Sequence, residues 1–169
     1  MKKSNTQMIT VGAAIAALYV VLTLIANAFG LANYAIQVRF SESLTILPYF
    51  TPVAVPGLFV GCIISNILTG AMPLDVVFGS IATLIGAIVT RVLAVKYPEK
   101  KWLAPIPPIV SNTIIVPLIL AFVYKFEGSI PYFMLTVGIG EVISCGILGM
   151  ILLTALNKRK NTIFENEDM

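Results

Sequence analysis

The 169-residue sequence has no histidine, two cysteines, one tryptophan and few charges, with 11% Asp, Glu, Lys and Arg. That is about half the charged share of an ordinary soluble domain. Without histidine there is no His-based proton relay or metal site. Cys62 and Cys145 lie in apolar runs without paired spacing. They read as small, reduced packing residues, and neither a disulfide framework nor a zinc site is indicated. No GxxxxGK(S/T) phosphate loop occurs, which excludes ATP hydrolysis by that route. No cofactor is implied. What is abundant is apolar: 58% of residues are hydrophobic and the mean hydropathy is +0.95. A soluble domain of this size has too much surface to hide that load. The sequence therefore describes an integral membrane protein, not a soluble enzyme, a nucleic-acid binder or a disordered scaffold.

Apolar stretches at 8–29, 53–70, 74–95, 103–124 and 131–156 are long enough to cross, or nearly cross, a hydrocarbon core that needs about 20 residues. The first is longer than the roughly 7–15 residues of a signal-peptide core, so it is read as a retained helix. Basic clusters at Lys2/Lys3, Lys96/Lys100/Lys101 and Lys158/Arg159/Lys160 mark the cytoplasmic side. An even number of crossings must separate the first two clusters. The long stretches between them supply three, so a short, tilted or partly re-entrant helix near 37–50 is expected as the fourth. The expected fold is an all-α membrane bundle of six helices, the second one short, with both termini cytoplasmic. The chain reads as a single domain over 1–169, with an acidic, mobile tail at 161–169.

Ionisable groups inside a bilayer cost roughly 2.5–3.5 kcal/mol each on insertion scales, so each needs a partner or a function. Glu141 lies ten residues after Pro131, about 15 Å along a helix and near mid-membrane. It is either a structural carboxyl, protonated or paired with Arg39, or the floor of a pocket. Arg39 and Glu42, at i and i+3, either pair with each other or line a vestibule. Asp75 follows Met72-Pro73 and is either a helix-dipole residue or a ligand contact. Asn66 and Asn112 are buried amides, serving as interhelical glue or as ligand contacts. Pro117 frees the carbonyl of Thr113 beside Asn112. Arg91 is expected to snorkel to the interface, and Trp102 to anchor there. Tyr34, Tyr49, Tyr124 and Tyr132 complete the polar inventory. Carboxylates and amides accept N–H edges and attract cations, so the ligand expected is a heterocycle with N–H donors or an amine.

Small residues form stripes at Gly12, Ala13, Ala16 and Ala17 and at Gly57, Gly61 and Ser65. The second suits packing within the bundle. The first lies near the terminus without a polar group to line a pocket, and could be a flat docking face for another membrane protein.

The segment Arg39-Phe40-Ser41-Glu42-Ser43-Leu44-Thr45, then Leu47-Pro48 and Phe50-Thr51-Pro52, resembles the characteristic run of the QueT family, with Ser43 where that run has alanine. Pro56 to Cys62, Leu74-Asp75 and Phe78-Gly79-Ser80 extend the likeness, which is strong over about 36–90. The resemblance implies a substrate-binding (S) subunit of an energy-coupling factor (ECF) transporter, with six helices and a lid in the first outer loop. It also implies an Ala-x-x-x-Ala face, here Ala13 and Ala17, against a transmembrane coupling subunit that works with two ATPases. The ligands it implies are 7-deazaguanine bases, with Arg39, Glu42, Asn66, Asp75, Asn112 and Glu141 as substrate-binding residues. Phe40 or a tyrosine would stack on the base. The other reading is a solo, ion-coupled carrier of a small nitrogenous heterocycle or other vitamin-like solute, with Glu141 as coupling site. An intramembrane enzyme and a purely structural bundle fit the residues less well.

Overall fold

Many polar side chains sit inside the bundle beside an apolar cluster of Leu44, Ile46, Leu58 and Leu153, and large apolar ones cover its outside, in a computed structural model that describes residues 4–31 and 38–159. Thr45, Thr51, Ser65, Asn66, Thr83 and Thr90 are among the most buried residues, whereas Ile9, Val95, Leu135 and Ile151 are exposed. This reverses the pattern of a soluble domain and suits a bundle surrounded by lipid.

The described chain is all-helical: α1 (Asn5–Ala28), a 3₁₀ segment (Phe40–Tyr49), α2 (Ala54–Leu68), α3 (Pro73–Lys96), a 3₁₀ turn (Lys101–Leu103), α4 (Ile106–Phe122), and α5 (Ile130–Glu141). A π-helical stretch (Val142–Leu148) then continues into α6 (Gly149–Asn157). Four stretches are long and apolar enough to span a membrane: Asn5–Ala28, Pro73–Lys96, Lys101–Phe122 and Ile130–Asn157; Ala54–Leu68 is a shorter apolar helix. The 3₁₀ segment is the short element expected near 37–50. At about 2 Å per residue its ten residues cover roughly 20 Å, more than an α-helix of equal length would. It begins beside the ends of α1 and α2 and finishes where Tyr49 Oη donates to the Pro98 carbonyl (2.5 Å), so it traverses the bundle.

Such a long 3₁₀ run is unusual, and local chemistry supports it. Ser43 Oγ donates to the Phe40 carbonyl (2.6 Å) and Thr45 Oγ1 to the Glu42 carbonyl (2.6 Å), each three residues back, which competes with the α pattern. Pro48 has no N–H to continue an α ladder. Seven of the ten residues are buried. At its far end Arg91 Nη1 reaches the Pro48 carbonyl (3.5 Å), so this arginine contacts the buried segment rather than only the interface.

The small residues of α1 divide between two faces. Gly12 and Ala16 face α2: a Cβ on Gly57 would stand 2.8 Å from the Gly12 carbonyl oxygen, and one on Gly61 3.0 Å from that of Ala16. The glycines are therefore what lets α1 and α2 touch backbone to backbone. Ala13 and Ala17 point out of the bundle. Tyr34, the lid expected in the first outer loop, the basic pair Lys2/Lys3, Lys160 and the 161–169 tail fall wholly or largely outside the described residues.

Candidate functional site

The starts of the 3₁₀ segment, α3 and α5 and the ends of α1, α2 and α4 meet at one end of the bundle, here called the Tyr124 end. A cavity of about 270 Å³ opens there, lined by Thr23, Asn27, Arg39, Asp75, Val116 and Tyr124 among others. Beneath it lies a void of about 20 Å³ lined by Arg39, Glu42, Asp75, Gly79, Asn112, Glu141 and neighbours. Arg39, Asp75 and Val116 border both spaces and form the joint between them.

Five of the six residues expected to bind substrate thus border the void. The sixth, Asn66, is reached through Arg39, whose Nη1 donates to Asn66 Oδ1 (3.4 Å). Arg39 does not pair with Glu42 as their i, i+3 spacing allowed. Glu42 Oε1 instead accepts from the hydroxyl of Tyr19, and Glu42 Oε2 is buried without a hydrogen-bond partner. Asn112 stands against both Glu42 and Glu141. Glu141 Oε2 accepts from Cys145 Sγ (3.2 Å), and Cys145 Sγ also meets the Glu42 carbonyl (3.4 Å) and Thr45 Oγ1 (3.3 Å).

The π-helical stretch helps to make this cluster. It starts immediately after Glu141 and packs on the 3₁₀ segment, with Ser144 Oγ accepting from the Arg39 backbone N–H (3.2 Å). π-segments interrupt α-helices mostly at functional sites. This one sets Glu141 and Cys145 on the face that meets Glu42.

Asp75 occupies the first turn of α3, after Pro73, and is buried. Its Oδ2 accepts from Tyr124 Oη (2.8 Å), and that oxygen accepts from the Met72 N–H (3.1 Å). Gly79 keeps the joint narrow but open: a Cβ there would lie 3.1 Å from Asp75 Oδ1 and 3.4 Å from Asn66 Nδ2.

Two residues of this region carried no site role in the sequence reading. Tyr19 was legible in principle, since it follows Gly12 and Ala16 on the stripe that continues to Thr23 and Ala26, all facing inward. Cys145 is buried and free, but its contacts with Glu141 and Glu42 make it more than a packing residue. Tyr49 sits at the opposite end against Pro98, and Tyr132 is exposed; neither borders the two spaces.

A family model described as QueT transporter matches residues 9–158. A protein of Lactococcus lactis subsp. cremoris, named as the queuosine precursor transporter QueT, is 38% identical over 85 residues, which is 50% of this chain and 50% of that protein. The chain thus spans about half the length of that relative in the match. No solved structure matches the chain.

Proposed function

This chain belongs to the QueT transporter family, a family of transporters and not of enzymes, and from that membership we propose that it is the substrate-binding subunit of an ATP-driven, ECF-type importer. It captures a 7-deazaguanine base from outside the cell and releases it inward after docking to a coupling subunit and two ATPases. The observation that carries this reading is the buried, unpartnered Glu42 Oε2 beside Glu141 and Asn112, under a chamber of about 270 Å³. That volume lies just below the range of about 300–1,000 Å³ that holds drug-sized ligands, which suits a small bicyclic base.

The chemistry follows from the acceptors. A guanine-like edge offers a ring N–H beside an exocyclic amine, and one carboxylate accepts both. Glu42 or Glu141 plays that part. Asn66 and Asn112 meet the ring carbonyl or pyrrole N–H, and Asp75 meets a cationic substituent. The void of about 20 Å³ holds one water and not a base, so the body of the base lies in the outer chamber and its N–H edge passes the joint to reach the carboxyls, which border the void and not the chamber. Lys96, Lys100 and Lys101 lie at the end opposite Tyr124, which by the positive-inside rule turns the chamber outward and puts both termini in the cytoplasm.

The sequence has no phosphate loop, and in this reading the energy comes from the partner ATPases. The exposed Ala13/Ala17 stripe is the face for the coupling subunit, since Gly12 and Ala16 are already committed to α2. Titrating the detergent-purified chain with 7-deazaguanine bases and guanine side by side tests the ligand, and equal, negligible binding of all of them refutes it. Ala17→Leu is expected to retain base binding in detergent and to lose uptake in cells. Uptake that survives inactivation of the partner ATPase but stops when ion gradients collapse replaces this reading with a solo ion-coupled carrier.

A further inference from the structure

We propose that the carboxylates of Glu42 and Glu141 and the thiol of Cys145 form a site for one thiophilic divalent cation of the zinc and cadmium class, at the floor of the recognition site. One ligand atom from each residue lies within 4.8 Å of the others, and all three residues are buried. Cys145 Sγ already touches Glu141 Oε2 at 3.2 Å, so short side-chain rotations suffice to close the set around an ion.

Two independent features point to a ligand there. Glu42 Oε2 has no hydrogen-bond partner although the residue is 2% exposed, and a buried polar atom left unpaired is costly unless something satisfies it. The adjoining void of about 20 Å³ is bordered by Glu42, Glu141 and Asn112, and is the size of one water. Three protein ligands with a water in the fourth position make the open tetrahedral arrangement of zinc. A thiolate among the ligands selects zinc-like ions over magnesium or calcium. Charge closes as well: two carboxylates, a thiolate, a divalent cation and the guanidinium of Arg39, which borders the void, sum to zero. Binding sends the thiol proton, and the proton shared by the two adjacent carboxyls, to solvent. Because the ion occupies the carboxylates that receive the base, it competes with the base; this part rests on the ligand reading above.

The test is a titration of the full-length, detergent-purified chain with Cd2+ alone, followed by the ultraviolet sulfur-to-cadmium charge-transfer band. The expected result is saturation at one equivalent. Cys62→Ser serves as the control, because Cys62 Sγ faces Thr83 and Asn66 (3.5 and 3.6 Å); this variant keeps the band. Cys145→Ser loses it, while eluting as a monodisperse species in size exclusion. Glu42→Gln and Glu141→Gln weaken Cd2+ binding by at least the roughly 10–100-fold typical of a supporting residue around a metal. No band in the wild-type chain, or a band abolished by Cys62→Ser and kept by Cys145→Ser, overturns the site. Cd2+ is also expected to weaken binding of a 7-deazaguanine base to the wild-type chain, and unchanged base affinity at saturating Cd2+ overturns the placement at the floor. A Cys145-dependent band in a chain that binds none of the bases supports the metal site and refutes the ligand reading instead.

Discussion

The outer chamber and the void beneath it share three lining residues but differ in almost every physical respect. The chamber, of about 270 Å³, is walled mostly by the ends of ordinary α-helices, with Ile119, Leu120 and Phe126 beside Thr23 and Asn27. The void, of about 20 Å³, is walled by α3 and α4 together with the start of the 3₁₀ segment and the end of α5, and holds Arg39, Glu42, Asp75 and Glu141 in its lining. Its partners are already engaged: Tyr19 with Glu42 and Cys145 with Glu141. The chamber supplies room and shape, and the void supplies directional acceptors in a low dielectric, where each unmade hydrogen bond weighs most. Irregular backbone at membrane depth is tolerated where it is buried in protein or lines a cavity, and here the 3₁₀ segment carries Glu42 while the π-helical stretch begins directly after Glu141.

The comparison is most sharply tested at its acid end. Glu42→Gln and Glu141→Gln each replace a buried carboxyl by an amide, and a buried hydrogen-bonding group of the ligand left unmet costs about 1–3 kcal/mol. Base affinity is therefore expected to fall roughly 10–100-fold in each, measured by titration calorimetry on the purified variants. If both bind the base as the parent does, recognition does not reside in the void and the division between the two spaces is wrong. Gly79→Ala comes next. Its new Cβ, 3.1 Å from Asp75 Oδ1 and 3.4 Å from Asn66 Nδ2, crowds the joint. Overpacking of this kind costs about 1–3 kcal/mol, and the base is expected to bind about tenfold more weakly. Thermal unfolding of the variant separates that loss from a general loss of stability.

What was legible from the sequence follows the same division. The regular helices announce themselves by length and apolarity, and Pro73 and Pro131 mark their first turns. Counting crossings between Lys3 and Lys96 required an element near 37–50, and the 3₁₀ segment occupies it. Its conformation was not readable, because it arises from hydroxyls of Ser43 and Thr45 turned onto carbonyls three residues earlier. The π-helical stretch has no local signature either. It is set by packing on a segment about a hundred residues away, through the Arg39–Ser144 contact and the close approach at Gly149, where a Cβ would stand 3.1 Å from Ile46 Cγ2. The candidate residues could be chosen one by one, since charged and amide groups are rare in apolar runs. Their pairing could not: Glu42 takes Tyr19 rather than Arg39, and Arg39 takes Asn66.

Tyr124→Phe probes the joint from the chamber side with a smaller expected effect. The hydroxyl links the Met72 N–H to Asp75 Oδ2, and its loss frees a carboxylate oxygen at the rim, where water can replace it. A hydrogen bond to a charged group is worth about 1.5–3 kcal/mol, but with water in the hydroxyl's place only about 1 kcal/mol is lost, so base affinity is expected to fall about fivefold. A loss above a hundredfold would mean that Tyr124 contacts the ligand itself, and would move recognition outward.

Thr69→Val tests the outermost wall, where the least should happen. Thr69 borders the chamber, but its Oγ1 turns back to the Ser65 and Asn66 carbonyls of its own helix (2.9 and 3.2 Å). Such a hydroxyl offers little to a ligand, and valine keeps its shape. Substitutions of this sort lie within about 0.5 kcal/mol, so base affinity is expected to stay within roughly twofold in the same calorimetric titration. The prediction discriminates because the chamber is the only one of the two spaces large enough to enclose a base. If Thr69→Val costs as much as Glu42→Gln, the ligand is held by the walls that surround it and not by the acids beneath it. If the loss is negligible while the glutamine variants fail, a wide entrance serves a narrow floor whose carboxyls hold the ligand.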